Sequence, residues 1–448
     1  MFSKKFNLIV KDKINSFNKT IQVDSDKSLS IRGFLIGSIC NNISIVNNVL
    51  ESEDVISAIS ACKELGVKIV KIRPQTYKIF GKGLGSLKVK KNSEINFGNS
   101  GTLARLLIGI LSTTPNIKVK IRGDHSLNKR SMEKIINLMS SFGASFLPKK
   151  KYNFPLTLIS SNMPIGINYD AGISAQLKSA VILAALNSYG NTNIRELKKS
   201  RDHTENILIT NKQTIQVNKK KFKTIKIIGK KYLKPFELNV SGDPSSAAFF
   251  TALTLLKNNS TLKIKNVGLN YTRTGFYEIL RKQKANVKFS NIKKNNNEIS
   301  GDILVRSSKL KPFQTKSEIY PRTTDEYLIL FVIAALTNGV STFRGIADLA
   351  NKESSRALEM KKILNQIGIK CKLTKNDMKI YGKGMIDASN KNIIVKSLGD
   401  HRIAMCAFIL AILTNAKTKI KNFDTVYTSS PSFLKIMKLL GAKFEIQK

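Results

Sequence analysis

Negative charge is scarce in this chain. Only 30 Asp and Glu stand against 75 Lys and Arg over 448 residues, a formal charge of +45. Such an excess disfavours cationic partners and favours anionic ones: nucleic acid, a membrane surface or phosphorylated metabolites. The joint richness in Lys, Asn and Ile offers a plainer account, compositional drift that leaves much of the charge on solvated surface. Runs such as Lys149-Lys150-Lys151 and Lys219-Lys220-Lys221 lie in polar connectors without interleaved aromatics to stack on bases, so nucleic-acid binding is not expected. Cysteine and histidine are scarce as well. Cys40, Cys62, Cys371 and Cys406 show no paired spacing, which argues against a disulfide framework or a zinc site and for buried thiols in a reducing compartment. His125, His203 and His401 are widely separated and make no ligand cluster. The longest apolar runs reach roughly a dozen residues, too short to span a bilayer. The start MFSKKFNLIVKDK has only three consecutive apolar residues and does not read as a signal peptide. A soluble, cytoplasmic protein is the expectation.

What the chain does have is a repeat. A small or polar cluster followed by mostly apolar residues occurs six times, starting at Ser25, Gly98, Gly172, Gly242, Thr324 and Gly399. The copies are roughly 70 to 80 residues apart, a period that suggests repeated supersecondary units. Two further markers keep step with it. Gly-centred helix ends enter strands at Leu65, Phe142, Ile367 and Leu440, and KANVKF near Ala285 fits without the glycine. A strand-to-turn marker recurs as IFGKG at Ile79, IIGKK at Ile227 and IYGKG at Ile380. GKGLG at Gly81 is followed by a polar strand rather than a helix, so it reads as a turn and not a dinucleotide loop.

The first helix of each unit is apolar on almost every face and so belongs inside its domain. A chain of 448 residues with a normal apolar fraction of 42% is too long for one core. Six units then divide into two groups of three, with the seam near Val240 to Asp243. Residues 1–23 precede the first repeat and are expected to pair with the C-terminal half. The expected domains are 1–23 plus 243–448, and 24–242, with buried helices aiming polar N-termini at a cleft between them.

The stretch DSDKSLSIRGFLIG, from Asp24, sets the pattern. Asp24, Ser25 and Asp26 precede an apolar run, as helix starts do. Lys27 falls in the first turn, where the macrodipole is already positive, so an anionic partner is expected; a solvated lysine on a frayed turn is the simpler alternative. Ser28 and Arg32 share a helix face. In the second copy Asn99, Ser100, Gly101 and Thr102 open the helix and Arg105 lies four after Gly101, which permits close backbone approach. Ser174 and Lys178 share a face in the third, with Gln176 between them. In the fifth, Asp325 and Glu326 are placed in the first turn, where carboxylates also serve as plain caps. Asp400, His401 and Arg402 start the sixth. Outside these helices, GDHSLNKR sets Arg130 beyond an Asp124 turn. NKESSR sets Lys352 and Arg356 four apart beside Glu353, which in isolation reads as an exposed helix face with intrahelical salt bridges.

Ten strings, DKSLSIR, FGNSGTLAR, GDHSLNKR, SAQLKSA, SRDHTE, GDPSSAAFF, DEY, KESSR, DHRIAM and TSSPSF, occur in one order over nearly the whole chain. Together they resemble the 5-enolpyruvylshikimate-3-phosphate synthases (3-phosphoshikimate 1-carboxyvinyltransferases), and SAQLKSA with SRDHTE resembles a bacterial subgroup of that family. The resemblance implies an α/β fold, a two-domain inverse α/β barrel of the enolpyruvyl transferase type, each domain built from three βαβαββ units. It implies transfer of the enolpyruvyl group of phosphoenolpyruvate to 3-phosphoshikimate by addition and elimination, on the shikimate pathway to chorismate and the aromatic amino acids. No cofactor and no metal are implied, and a monomer is the family expectation.

By the same resemblance, Lys27, Ser28, Arg32, Ser174, Ala175, Gln176, Ser200, Asp325 and Lys352 bind 3-phosphoshikimate. Lys27, Gly101, Arg130, Gln176, Arg356 and Arg402 hold phosphoenolpyruvate. Asp325 takes the proton of the attacking hydroxyl, Lys352 orients that site, and Glu353 moves the proton at the methylene carbon, with Lys27 in the catalytic set. Both substrates carry a phosphate and a carboxylate, which suits a dense set of cations. The chain departs from the family pattern at Ser355, where an acid is usual, which implies a looser Arg356. Leu349-Ala350-Asn351 loses an arginine, and Thr428-Ser429-Ser430-Pro431 loses a phenylalanine. Two rivals share the scaffold. An enolpyruvyl transferase for UDP-N-acetylglucosamine is expected to carry a cysteine on a mobile loop. A basic nucleic-acid-binding protein explains +45 but not the carboxylates among the cations.

Overall fold

The computed structural model describes residues 5–218, 222–295 and 297–448, so the Lys219–Lys221 run lies outside the described residues. The chain forms two compact units. One comprises Ser25–Val240 with Asn295–Glu298; the other comprises the N-terminal segment to Asp24, Ser241–Lys294 and Ile299–Lys448. Each has its own apolar core.

The six repeats become six four-stranded sheets of one design. In the second repeat, strand Glu94–Asn96 runs parallel to Lys118–Arg122, which pairs antiparallel with Leu156–Ile159, itself antiparallel to Ser145–Leu147. The parallel pair is joined by a buried helix, the connection that parallel strands require. Three sheets take one strand from elsewhere in the chain. Glu237–Asn239 completes the first repeat, Asn18–Gln22 completes the fourth, and Asn7–Val10 is inserted into the sixth. The sequence ahead of the first repeat thus pairs with the C-terminal half, through Thr261–Gly268, Lys417–Lys421 and Glu445–Gln447.

The buried helices are Lys27–Ile39, Gly101–Thr113, Ala175–Leu186, Pro244–Leu256, Tyr327–Ala335 and His401–Thr414. Every residue of Pro244–Leu256 and of Tyr327–Ala335 is buried, as an apolar surface on all faces demands. Asp26, Ser100, Ser174, Asp243 and Asp400 cap five of them through their side chains, each such bond stabilising by about 1 kcal/mol. The fifth differs. That helix begins at Tyr327, so Asp325 and Glu326 precede it rather than lying in its first turn, and Glu326 makes no side-chain cap bond. The two acids are engaged elsewhere, Glu326 by the Ser245 hydroxyl and Asp325 by Arg356.

The strand-to-turn marker has a steric cause. A Cβ on Gly81, Gly229 or Gly382 would lie within 2.1 Å of the carbonyl oxygen of Cys40, Ser188 or Thr337, at the end of a buried helix. At the helix ends, Gly66, Gly143, Gly368 and Gly441 take positive φ, and Lys284 fills that role with φ of 58° where glycine is missing. After Gly81 the chain turns as anticipated, but no strand follows until Glu94; the segment between is irregular. All four cysteines are free thiols and buried. Among the described residues, no helix is long and apolar enough to cross a membrane.

Candidate active site

In the unit holding residues 25–240, three helix starts carry the anticipated binding groups. Asp26 accepts from the Leu29 N–H at 2.8 Å and so fixes the turn that presents Lys27 and Ser28. The anionic partner anticipated for Lys27 is Asp54, 2.9 Å away and only 7% exposed. Asp54 escaped the sequence reading because acids in a first turn, here Glu53 and Asp54, look like ordinary helix starts. Arg32 is buried. Its Nε donates to Thr204 Oγ1 at 2.9 Å, Nη1 to the Ser28 carbonyl at 3.0 Å and Nη2 to Ser179 Oγ at 3.2 Å.

Gly101 opens its helix under two guanidinium groups. Arg105 donates to the Gly101 carbonyl at 3.1 Å and to Gln176 Oε1 at 3.0 Å, while the Gln176 amide donates to Thr102 Oγ1 at 3.0 Å. Arg130 donates to Asn99 Oδ1 at 2.7 Å, and Asn99 in turn to Asp124 at 2.7 Å. A Cβ on Gly101 would lie 2.8 Å from Arg105 Nη1 and 3.2 Å from Arg130 Nη1. Gly101, Arg130 and Gln176 are thereby brought together, with Arg105 as the link. Ser174 caps the third buried helix through Leu177 N at 3.4 Å, and Ala175 is its first residue. Ser200 is turned to Glu196, its N–H and Oγ donating to Oε1 at 2.8 and 2.9 Å.

The other unit gathers the carboxylates. Arg356 is 1% exposed and sits at the first position of helix Arg356–Gln366. Its Nε donates to Asp400 Oδ2 at 2.8 Å, Nη2 to Glu353 Oε2 at 2.6 Å and Nη1 to Asp325 Oδ1 at 3.4 Å. The exposed-face reading of NKESSR therefore fails for Arg356, because three acids from three parts of the chain enclose it. Burial opposes its charge, but Asp400, Glu353 and Asp325 outweigh burial and raise its pKa. Lys352 does follow the simple pattern, pairing with Asp348 four residues earlier at 2.6 Å. Arg402 Nη1 donates to the Asp325 carbonyl at 3.2 Å, and its Nε lies 3.5 Å from Asp325 Oδ1. Asp400 also caps its helix through Arg402 N at 3.0 Å and accepts from Ser354 Oγ at 3.0 Å. Arg356 thus has its carboxylate anchors without an acid at position 355. Near the TSSPSF departure, Ser430 Oγ donates to Asp24 at 3.0 Å.

Chemically, one unit offers cations and hydroxyls at helix starts. The other holds two partly exposed carboxylates, Asp325 and Glu353, on one guanidinium, beside Lys352 and Arg402. Paired carboxylates suit a reaction that moves protons twice. Among the described residues, no group of His, Cys, Asp and Glu is arranged to hold a metal ion.

Solved structures define the class. An EPSP synthase from Acinetobacter baumannii superposes with a TM-score of 0.84 and 31% identity, covering 99% of this chain and 100% of that one. The enolpyruvyl transferase NikO from Streptomyces tendae, at 12% identity, shares the fold with a TM-score of 0.78 over 99% of each chain. The fold is that of a two-domain α/β enolpyruvyl transferase. The family model for EPSP synthase (3-phosphoshikimate 1-carboxyvinyltransferase) matches residues 11–437, and the chain belongs to that family. It is 36% identical to the 3-phosphoshikimate 1-carboxyvinyltransferase of Thermodesulfovibrio yellowstonii, covering 97% of this chain and 99% of that one. Identity to the enzyme of the same name from Paramagnetospirillum magneticum is 34%, over 94% of each chain.

Proposed function

We propose that this chain transfers the enolpyruvyl group of phosphoenolpyruvate to 3-phosphoshikimate. The observation that carries the reading is the pair of carboxylates, Asp325 and Glu353, held 3.4 and 2.6 Å from the Arg356 guanidinium. The shikimate hydroxyl oxygen attacks C2 of phosphoenolpyruvate and gives its proton to Asp325, while C3 takes a proton from Glu353. The tetrahedral intermediate then expels phosphate, which leaves with the proton that Asp325 had taken, as Glu353 recovers a proton from the C3 methyl group, restoring the double bond and both acids. Atoms and electrons balance without an oxidant or a metal.

Lys27, Ser28, Arg32, Ser174, Ala175, Gln176 and Ser200 serve 3-phosphoshikimate, with Lys352 orienting its reacting end. Gly101, Arg130, Gln176, Arg356 and Arg402 serve phosphoenolpyruvate, Lys27 touching both substrates. Guanidinium forks match phosphate and carboxylate oxygens bidentately. The four buried thiols suit a reducing cytoplasm, where the protein acts as a monomer.

The test is phosphate release on mixing the protein with both substrates, each omitted in turn. Release that needs both, and that falls by about 10²- to 10⁴-fold in Asp325→Asn, supports the reading. Release that needs only phosphoenolpyruvate, or an Asp325→Asn variant with full turnover, overturns it.

A further inference from the structure

The helix that carries Ser174 and Gln176 is apolar and buried, yet it contains a lysine that is wholly enclosed. Lys178 has 0% side-chain exposure, and its ammonium lies 2.7 Å from Glu196 Oε1 and 2.8 Å from Glu205 Oε1. Lys223 approaches the same two acids from the next strand, 3.3 Å from Glu196 Oε2 and 3.0 Å from Glu205 Oε1. Two cations and two carboxylates thus form a cluster of balanced charge, with Asp202 acting on Lys223 from its outer side. Burial pushes both acids up, but Lys178 and Lys223 prevail and hold each below the usual carboxylate range, Glu205 at about 2. Burying four charges is costly, and a well-packed apolar set of the same volume is often as stable. A cluster kept despite that cost invites a purpose other than stability.

Its outward connections supply one. Glu196 Oε1, the oxygen that Lys178 touches, also accepts the N–H and the hydroxyl of Ser200. Glu205 and Thr204 are neighbours on the short helix His203–Leu208, and Lys178 and Ser179 are neighbours on the buried helix. Thr204 donates to Ser179 at 2.8 Å, and these two hydroxyls accept from Arg32. The cluster is therefore joined on one side to Ser200 and on the other to the Arg32 guanidinium.

We propose that the buried Lys178–Glu196–Glu205–Lys223 cluster is a positioning device for the phosphate end of 3-phosphoshikimate, fixing Ser200 and Arg32. The proposal rests on the function proposed above. Lys178 and its partners touch no substrate; they act through the residues that do. Neutrality is part of the device. Removing Lys178 leaves two carboxylates with one cation behind a site that must receive a phosphate dianion, so the phosphate is both misplaced and repelled.

The experiment is steady-state kinetics of the full chain with each substrate varied separately, on the wild type, Lys178→Met, Glu205→Gln and the double variant. Lys178→Met should raise KM for 3-phosphoshikimate by about tenfold or more, with KM for phosphoenolpyruvate changed by less than about twofold. The double variant restores the charge balance and should bring that KM back to within about threefold of wild type. A purely structural role lowers the melting temperature and the active fraction while leaving both KM values alone; that result overturns the proposal. So does an equal rise in both KM values. If Lys178→Met does not fold, Glu205→Gln carries the comparison: it unbalances the cluster in the opposite sense and should move KM for 3-phosphoshikimate by about threefold or more with KM for phosphoenolpyruvate unchanged, and an unmoved KM for 3-phosphoshikimate overturns the proposal. A wild type that releases no phosphate from the two substrates refutes the function itself. Turnover with unmoved KM refutes only the positioning role.

Discussion

Replacing Arg356 tests how the carboxylate group is held together. Its guanidinium is 1% exposed and contacts Asp400, 0% exposed, together with Glu353 and Asp325, about one-fifth exposed each. Arg356→Gln leaves Asp400 buried without its cation, and breaking one partner of such a pair costs about 3–5 kcal/mol. The two outer acids add little, because solvent screens them. At about 2–4 °C per kcal/mol for a unit of this size, the melting temperature should fall by roughly 6–20 °C. Arg356→Lys keeps the charge but cannot bridge three acids, so its deficit should be smaller, about 1–3 kcal/mol, the worth of the lost charge-assisted bonds. Urea titration of both variants beside wild type measures this. Adding Asp400→Asn to Arg356→Gln should recover part of the loss, since the asparagine oxygen can still accept the Arg402 N–H. A loss below about 0.5 kcal/mol for Arg356→Gln, well under the 3–5 kcal/mol expected, refutes the anchoring argument. If KM for phosphoenolpyruvate then rises steeply, Arg356 acts as a substrate fork alone.

Gly101→Ala places a methyl group 2.8 Å from Arg105 Nη1 and 3.2 Å from Arg130 Nη1, both at the ends of flexible side chains. The arginines should give way, raising KM for phosphoenolpyruvate by about tenfold while stability changes by less than about 1 kcal/mol; an unchanged KM counts against Arg130 as a ligand. Acid should act on the Lys178 cluster. Glu196 and Glu205 have folded pKa values below the usual glutamate value of about 4.5, Glu205 at about 2. Their contribution to stability is therefore complete above about pH 4.5 and lost as pH falls through the folded values towards 2. Glu205→Gln should be less stable than wild type at pH 7, with the difference shrinking across that window; a pH-independent difference refutes the assignment.

The repeat, the buried helices and the helix starts were legible in the chain because their causes are local. A cap joins residues within one turn, as Asp26 with Leu29 does, and an apolar helix declares its burial by composition. Glycines that meet a carbonyl or take a positive φ also leave a mark at one position. The family motifs were legible as strings, and they named most of the groups now found at helix starts. The placement of Asp325 and Glu326 in a first turn failed because nothing in TDEYLIL shows that the helix waits until Tyr327.

Tertiary structure alone decided which charges meet across different elements. Asp54 beside Lys27, Glu196 beside Lys178 and Asp400 beside Arg356 join residues on different elements, the last pair 44 positions apart. The chain read by itself made Ser355 a threat to Arg356, since the nearest candidate acid was missing. Folding places Asp400 against that guanidinium instead. Coulomb attraction and desolvation depend on distance and burial in space, and a linear sequence records neither.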